Sequence, residues 1–244
     1  MSGKYFLNDM MNPDVSQRMA QDMKPVLFQP KDLKTENNDV FYTVYRNLGA
    51  VPELARYDIT VIPARKVGQE FSKTFGHYHR GPQSDLYEVL DGHAYFLTQR
   101  YENNPADIKE AYIIEAAAGE KAVTPPNFAH LAINIGDKDL VLANWVGFVE
   151  YDYETIKKYA GGCYYVLDGG NNIEFEKNPN YKSVPELKKL KQRDIPELGI
   201  KNGAEYPIWN LKTPPAGGPK KLDWLAHPEK YQELLTIKNL YEEI

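Results

Sequence analysis

Cysteine is nearly absent: Cys163 is the only one in 244 residues. A disulfide within the chain is therefore impossible and a zinc site built on several thiolates is excluded, which makes a reducing, cytoplasmic setting the default expectation. Cys163 sits in GGCYY with no basic neighbour to activate it, and reads as a packing residue. No apolar run approaches the ~20 residues that cross a bilayer. The opening MSGKYFLNDMMNPDV lacks the basic stretch followed by an apolar one that marks a secretory signal. Positive charge is not in excess either, with 29 Lys+Arg against 34 Asp+Glu and a net charge of -5. Without a basic stripe the chain lacks the electrostatic footprint of a nucleic-acid binder. The glycine signatures of nucleotide loops, G-x-x-x-x-G-K-[ST] and G-x-G-x-x-G, are missing as well.

What is present is an ordinary globular composition, 42% hydrophobic and 26% charged. From Val40 onward the chain falls into short runs rich in β-branched and aromatic residues, separated by Gly, Pro and Asn-Asn: FYTVYRNL, ARYDITVIPA, QEFSKTFGHYH, LYEVLDG, HAYFLTQRY, DIKEAYIIEA, KAVTPP, AHLAINIG and DLVLANWVGFV. Closely spaced strands with turns between them predict an all-β sandwich or barrel, and the intervals are too short for crossover helices. Residues 1–39 read as a lead-in packed on the barrel, 40–180 as the barrel, and 181–244 as an extension with helices. YDYETIKKYA predicts a short helix stopped by Gly161-Gly162, and CYYVLDGGNN and EFEKNPNY a further strand and turn. VPELKKLKQRDIPELG and HPEKYQELLTIKNLYEEI carry helical spacing, joined by the Pro/Gly-rich connector LKTPPAGGPKK. The lysines of KKLKQR are expected on a solvated face.

The chemistry is carried by the five histidines, His77, His79, His93, His130 and His227. His77 and His79 stand at i and i+2 in GHYHRG. On a strand they project from one face, with Cα atoms about 6–7 Å apart, while Tyr78 points away. Glu88 follows in LYEVLDG, where the next strand returns, and His130 lies just past Pro125-Pro126. Either half alone is weak, since H-x-H pairs arise by chance and a histidine after prolines is commonly structural. Together with Gly76, Gly92, Gly119 and Asn134 as punctuation, they predict a three-His, one-carboxylate site for Fe, Mn, Ni, Co or Zn on a rigid β scaffold. His93, at a strand start, and His227, at a helix N-terminus, are not expected to take part.

The segments TFGHYH, YEVLDG and PPNFAHLAINIGD resemble the two characteristic motifs of the cupin superfamily. ITVIPARKVGQEFSKTFGHYH, and AHLAINIGD followed by DYETI, resemble one group within it: the cupin-type glucose-6-phosphate isomerases known mainly from archaea. The resemblance covers roughly Val40 to Leu167. It implies a jelly-roll barrel, a homodimer, one divalent metal ion per subunit, and a place in glycolysis and gluconeogenesis. The implied metal ligands are His77, His79, Glu88 and His130. Thr60, Thr74 and Gly76 are the implied phosphate-binding residues, joined by Tyr42 or Tyr45 and with Lys66 or Arg80 as nearby cations. Tyr153 is the implied substrate-side tyrosine, and Glu88 the implied base.

There are departures. The spacer from His79 to Glu88 is two residues longer than the family's usual one, Leu90 stands where a tyrosine commonly follows the glutamate by two residues, and Trp145-Val146 where another aromatic hydroxyl is common. Aldose–ketose isomerisation moves a proton between C1 and C2 of an open-chain sugar, or a hydride in a competing route. It requires stabilisation of charge on two neighbouring oxygens, which a metal with two open cis positions supplies. Rival expectations are a mannose-6-phosphate isomerase, a non-haem iron dioxygenase of the cupin type, and a sugar-binding cupin without turnover.

Overall fold

The computed structural model describes residues 14–34, 39–51, 55–204 and 218–244. In chain order its strands are β1 (Asp14–Met19), β2 (Val40–Val51), β3 (Ala55–Ile62), β4 (Lys66–Val67), β5 (Glu70–Phe71), β6 (Tyr78–His79), β7 (Asp85–Asp91), β8 (His93–Tyr101) and β9 (Ile108–Ala117). They continue with β10 (Lys121–Thr124), β11 (Ala129–Asn134), β12 (Leu140–Val146), β13 (Tyr151–Asp152), β14 (Tyr164–Asp168), β15 (Ile173–Lys177), β16 (Lys188–Gln192) and β17 (Tyr241–Glu243). The helices are short: α1 (Ala20–Met23), α2 (Glu154–Lys158), α3 (Gly218–Ala226) and α4 (Ile237–Leu240). A six-stranded sheet runs β1-β2-β3-β12-β7-β10 and a five-stranded one β11-β8-β9-β16-β17. Pairing is antiparallel throughout both except between β16 and β9. This is an all-β jelly-roll barrel, and each apolar run read from the sequence lies on one of its strands or on a short strand pair.

Register decides what reaches the interior. Across the six-stranded sheet Val44 faces Thr60, Asp58 faces Asn144, and Asn144 faces Tyr87. Directly opposed residues share a face, so these form one inward row, and alternation turns Leu86, Glu88, Trp145 and Tyr57 outward. The outward row is buried too. Tyr57 and Trp145 pack with tilted rings 5.0 Å apart, and Leu222, Trp224 and Leu225 of α3 join the same apolar core.

The C-terminal region departs from the helical expectation. The KKLKQR segment forms β16, pairing in parallel with β9 through Lys188↔Tyr112 and Leu190↔Ile114. Leu190 and Gln192 are buried while the lysines between them are less so, which is a period of two. The open edge of β9 offers backbone hydrogen bonds that outweigh local helical spacing, and Pro185 and Pro196 cap the segment's length. HPEKYQELLTIKNLYEEI likewise breaks up, into a 3-10 turn at Pro228–Lys230, the four-residue α4 and β17, which pairs with β16. The helix expected within YDYETIKKYA is α2, and VSQRMAQDM divides into β1 and α1. The connector residues 211–217 and the lead-in residues 1–13 and 35–38 lie outside the described residues.

β10 ends the six-stranded sheet, and its outer backbone groups are met by side chains from the C-terminal region. Lys121 N–H donates to Asn202 Oδ1 at 3.2 Å. Val123 N–H donates to Gln192 Oε1 at 3.1 Å and to the Tyr241 hydroxyl at 2.8 Å, and that hydroxyl donates to Val123 O.

Candidate metal centre

The residue just before β6 bridges to β11: His77 N–H donates to His130 O at 3.3 Å, and His130 N–H to His77 O at 3.2 Å. The bridge needs Gly76 before it. That residue has φ +81°, and a Cβ there would come within 3.1 Å of Leu131 Cβ. His77 and His130 are thereby opposed, with ring centroids 4.6 Å apart, and His79 stands 5.3 Å from His77 and 5.6 Å from His130. The fourth member is Asp85, at the start of β7. Its Oδ2 lies 3.5 Å from His79 Nε2 and 3.2 Å from His130 Nε2. One ligand atom from each of His77, His79, Asp85 and His130 falls within 4.8 Å of the others.

Glu88 is not part of this group. It faces outward from β7, buried against Lys121 with an Nζ–Oε1 separation of 3.8 Å, and Lys121 Nζ also donates to Gly119 O and Ala204 O. The reason is parity: Tyr87 lines the cavity, so its neighbour in a strand points the other way, while Asp85, two residues back, points with it. Counted to Asp85 instead of Glu88, the spacer from His79 is one residue shorter than the family's usual one rather than two longer, and Tyr87 follows Asp85 by two, as a tyrosine commonly does in the family.

The surroundings fix protonation. Burial pushes the His77 imidazole well below its usual range, and the neighbouring His130 and His79 add to the fall. His130 is also lowered by burial, against the pull of Asp85. For His79 burial works downward too, but the Asp85 charge and hydrogen bond prevail and its affinity for a proton rises. Burial would raise the Asp85 carboxyl; His79 and His130 instead hold it far below the usual carboxylate range. His79 Nδ1 is hydrogen-bonded to Gln83 O at 2.9 Å, which leaves Nε2 toward the cluster, and the Tyr87 hydroxyl lies 3.0 Å from His130 Nε2. His77 Nε2, His79 Nε2, His130 Nδ1 and Asp85 Oδ1 are buried and have no hydrogen-bond partner. Four orphaned donors of this chemistry, three imidazole and one carboxylate, suit a divalent first-row cation.

A cavity opens from the cluster. Of the residues singled out in the sequence, Thr60, Thr74, Gly76, His77, His130 and Tyr153 line it. Tyr42 lines it as well, and Tyr45, next but two along β2, does not. Lys66 and Arg80 lie elsewhere, in ion pairs with Asp168 and Glu150. His93 pairs with Glu115 at 2.9 Å, and His227 lies near Asp223 and Glu229. Six further lining residues escaped the sequence: Val44, Arg46, Asp58, Tyr87, Asn144 and Tyr151. Tyr151 packs edge-on to His77 at 4.3 Å, and Arg56 donates to its hydroxyl. Only strand parity, applied to known pairings, would have placed them.

A model of the family "Glucose-6-phosphate isomerase (GPI)" matches residues 17–183. The glucose-6-phosphate isomerase of Thermococcus litoralis is 30% identical over 181 residues, covering 70% of this chain and 90% of that protein. The enzymes of the same name from Pyrococcus abyssi and Pyrococcus furiosus are 28% and 30% identical, covering 68% and 62% of this chain and 87% and 78% of their own. Among solved structures similarity is remote: an oxalate oxidase aligns over 46% of this chain and 52% of its own with a TM-score of 0.36 and 14% identity.

Proposed function

The chain belongs to the glucose-6-phosphate isomerase family, and from that premise we propose that it interconverts glucose 6-phosphate and fructose 6-phosphate at the His77, His79, Asp85 and His130 cluster. The observation that carries the reading is the buried cluster of three imidazoles and one carboxylate, each with an unpartnered polar atom, two of whose members, His77 and His130, line a cavity rich in hydroxyls.

One divalent ion held by these four side chains would supply Lewis-acid polarisation of the adjacent C1 and C2 oxygens of the open-chain sugar. The chain's own residues do the rest. Tyr42, Thr60, Thr74 and Tyr153 present hydroxyls to the cavity, and Gly76 brings backbone close. Thr74 Oγ1 accepts the Ala132 N–H at 3.0 Å, which leaves the Thr74 proton to donate to an anion. These groups hold the phosphate end, so that C1 and C2 lie toward the histidines. Tyr153, its hydroxyl proton retained by burial and by Tyr42, orients the sugar and assists ring opening. The carboxylate role expected of Glu88 passes to Asp85, whose Oδ1 is the atom able to carry a proton between C1 and C2. A second route is favoured by the depressed proton affinity of Asp85, which makes it a weak base: a direct hydride shift between the two carbons. Isomerisation in D₂O separates the two, since proton transfer places solvent deuterium on the product and a hydride shift does not.

A homodimer, a cytoplasmic setting, service in glycolysis and gluconeogenesis, and the choice among Fe, Mn, Ni, Co and Zn belong to the same proposal. The test is a coupled assay of fructose 6-phosphate conversion on metal-loaded protein, with and without chelator, beside Asp85→Ala and His130→Ala. Turnover lost on chelation and in both variants supports the reading. Ligand binding with no turnover in the loaded wild type would make the protein a sugar-binding member instead, and chelator-resistant turnover would remove the metal from the mechanism.

A further inference from the structure

β2 and β3 fall out of register beside the cavity. Tyr45 pairs with Ile59 and Gly49 with Tyr57, so Arg46, Asn47 and Leu48 stand opposite Asp58 alone. Asn47 takes a left-handed φ of 56° to make this bulge, and its N–H donates to Asp58 Oδ1 at 2.9 Å. Arg46 keeps the alternation of Tyr42 and Val44, which line the same cavity, and the extra residues Asn47 and Leu48 follow it. Arg46 Nη1 donates to Asp58 Oδ2 at 3.3 Å.

Arg46 is the one Lys or Arg side chain lining the cavity among the described residues. The neighbouring Arg56 is not among the lining residues and is committed to Asp58 at 3.0 Å and to Tyr151. Asp58 is 2% exposed and shared by the two guanidiniums, so the group carries a net positive charge and Asp58 cannot neutralise Arg46 alone. The remaining anion contacts of the cavity, Thr60, Thr74, Gly76, Tyr42 and Tyr153, are neutral hydrogen-bonding groups. Neutral donors bind a sugar hydroxyl nearly as readily as a phosphate oxygen. A planar fork of charged donors prefers the dianion.

We propose that Arg46, turned inward by the alternation of β2 and held by Asp58, is the charge-recognition residue that makes this site select a phosphorylated sugar over the free sugar. This rests on the isomerase reading for the identity of the substrate, but anion binding at Arg46 is testable without it.

The experiment takes the full metal-loaded chain as wild type, Arg46→Ala, Arg46→Lys and Asp58→Asn. Metal content and melting temperature are measured first. Inorganic phosphate binding is then followed by calorimetry, and kcat and KM are measured for fructose 6-phosphate and for fructose. The expected result is a rise of about 10- to 100-fold in both phosphate Kd and fructose 6-phosphate KM in Arg46→Ala. The ratio of kcat/KM for fructose 6-phosphate over fructose should fall by a similar factor, with metal content retained. Arg46→Lys should recover part of the loss, and Asp58→Asn should show a smaller one. If wild type turns over fructose 6-phosphate while Arg46→Ala keeps KM and phosphate Kd within twofold, the proposal for Arg46 is wrong and the isomerase reading stands. If wild type turns over no sugar phosphate but loses phosphate binding on Arg46→Ala, the isomerase reading fails and the anion site stands.

Discussion

Replacing Asp85 and Glu88 of β7, one at a time, by their amides separates metal binding from stability. Asp85→Asn keeps shape but removes the charge facing three imidazoles. Loss of an outer hydrogen-bond partner of a metal ligand already costs about 10–100-fold in affinity, so loss of the ligand charge itself should cost at least about 100-fold. Glu88→Gln acts elsewhere. Lys121 has a fully buried side chain, and removing its partner leaves a cation in the interior. Breaking a buried pair costs about 3–5 kcal/mol. The 3.8 Å separation and the carbonyls of Gly119 and Ala204 around Lys121 Nζ place this case at the lower end, about 3 kcal/mol. For a chain of this size that is a drop of about 6–12 °C in melting temperature. Metal content after dialysis against a weak chelator, measured by plasma mass spectrometry, and melting by circular dichroism give the two readouts. Asp85→Asn should lose metal; Glu88→Gln should melt early and still retain one equivalent. The reverse pattern, with Glu88→Gln metal-free and Asp85→Asn fully loaded, would refute the assignment of inward and outward faces on which the site rests.

Tyr87→Phe removes the hydroxyl that meets His130 Nε2 at 3.0 Å and should weaken metal affinity about 10-fold with little change in fold, read by competition with a fluorescent chelator. Metal binding should also release protons near neutral pH. His77 and His130 are already neutral there, while His79 beside Asp85 holds its proton to higher pH than usual, so affinity falls as pH drops through that raised value. Calorimetry in buffers of different ionisation enthalpy checks this, and an uptake of no proton-linked heat would contradict it. Gly76→Ala combines a left-handed φ with a Cβ 3.1 Å from Leu131 and should cost about 1–3 kcal/mol, with loss of metal binding as the His77–His130 bridge shifts.

The barrel was legible because its strands alternate and its turns carry Gly and Pro. H-x-H puts His77 and His79 on one side, and His130 joins them through its bridge to His77. The carboxylate depends on parity within β7: Glu88 shares the strand with Asp85 but faces the other way. Arg46 was hidden differently. Its significance depends on the pairing of β2 with β3, which sets it beside Asp58, twelve residues away, and no local pattern announces that pairing. The lysine-rich β16 was read as a helix because its strand character comes from a partner, β9, more than seventy residues earlier.

The sealing of β10 by Tyr241, Gln192 and Asn202 has a consequence for how the protein comes to be made. All three groups arrive late in the chain, so a partly folded molecule carries a sheet end with unclaimed N–H and C=O groups, able to template a strand from another molecule. Shortening the chain to remove Tyr241 should therefore make refolding increasingly lossy as protein concentration rises, with the precipitate rich in intermolecular β structure.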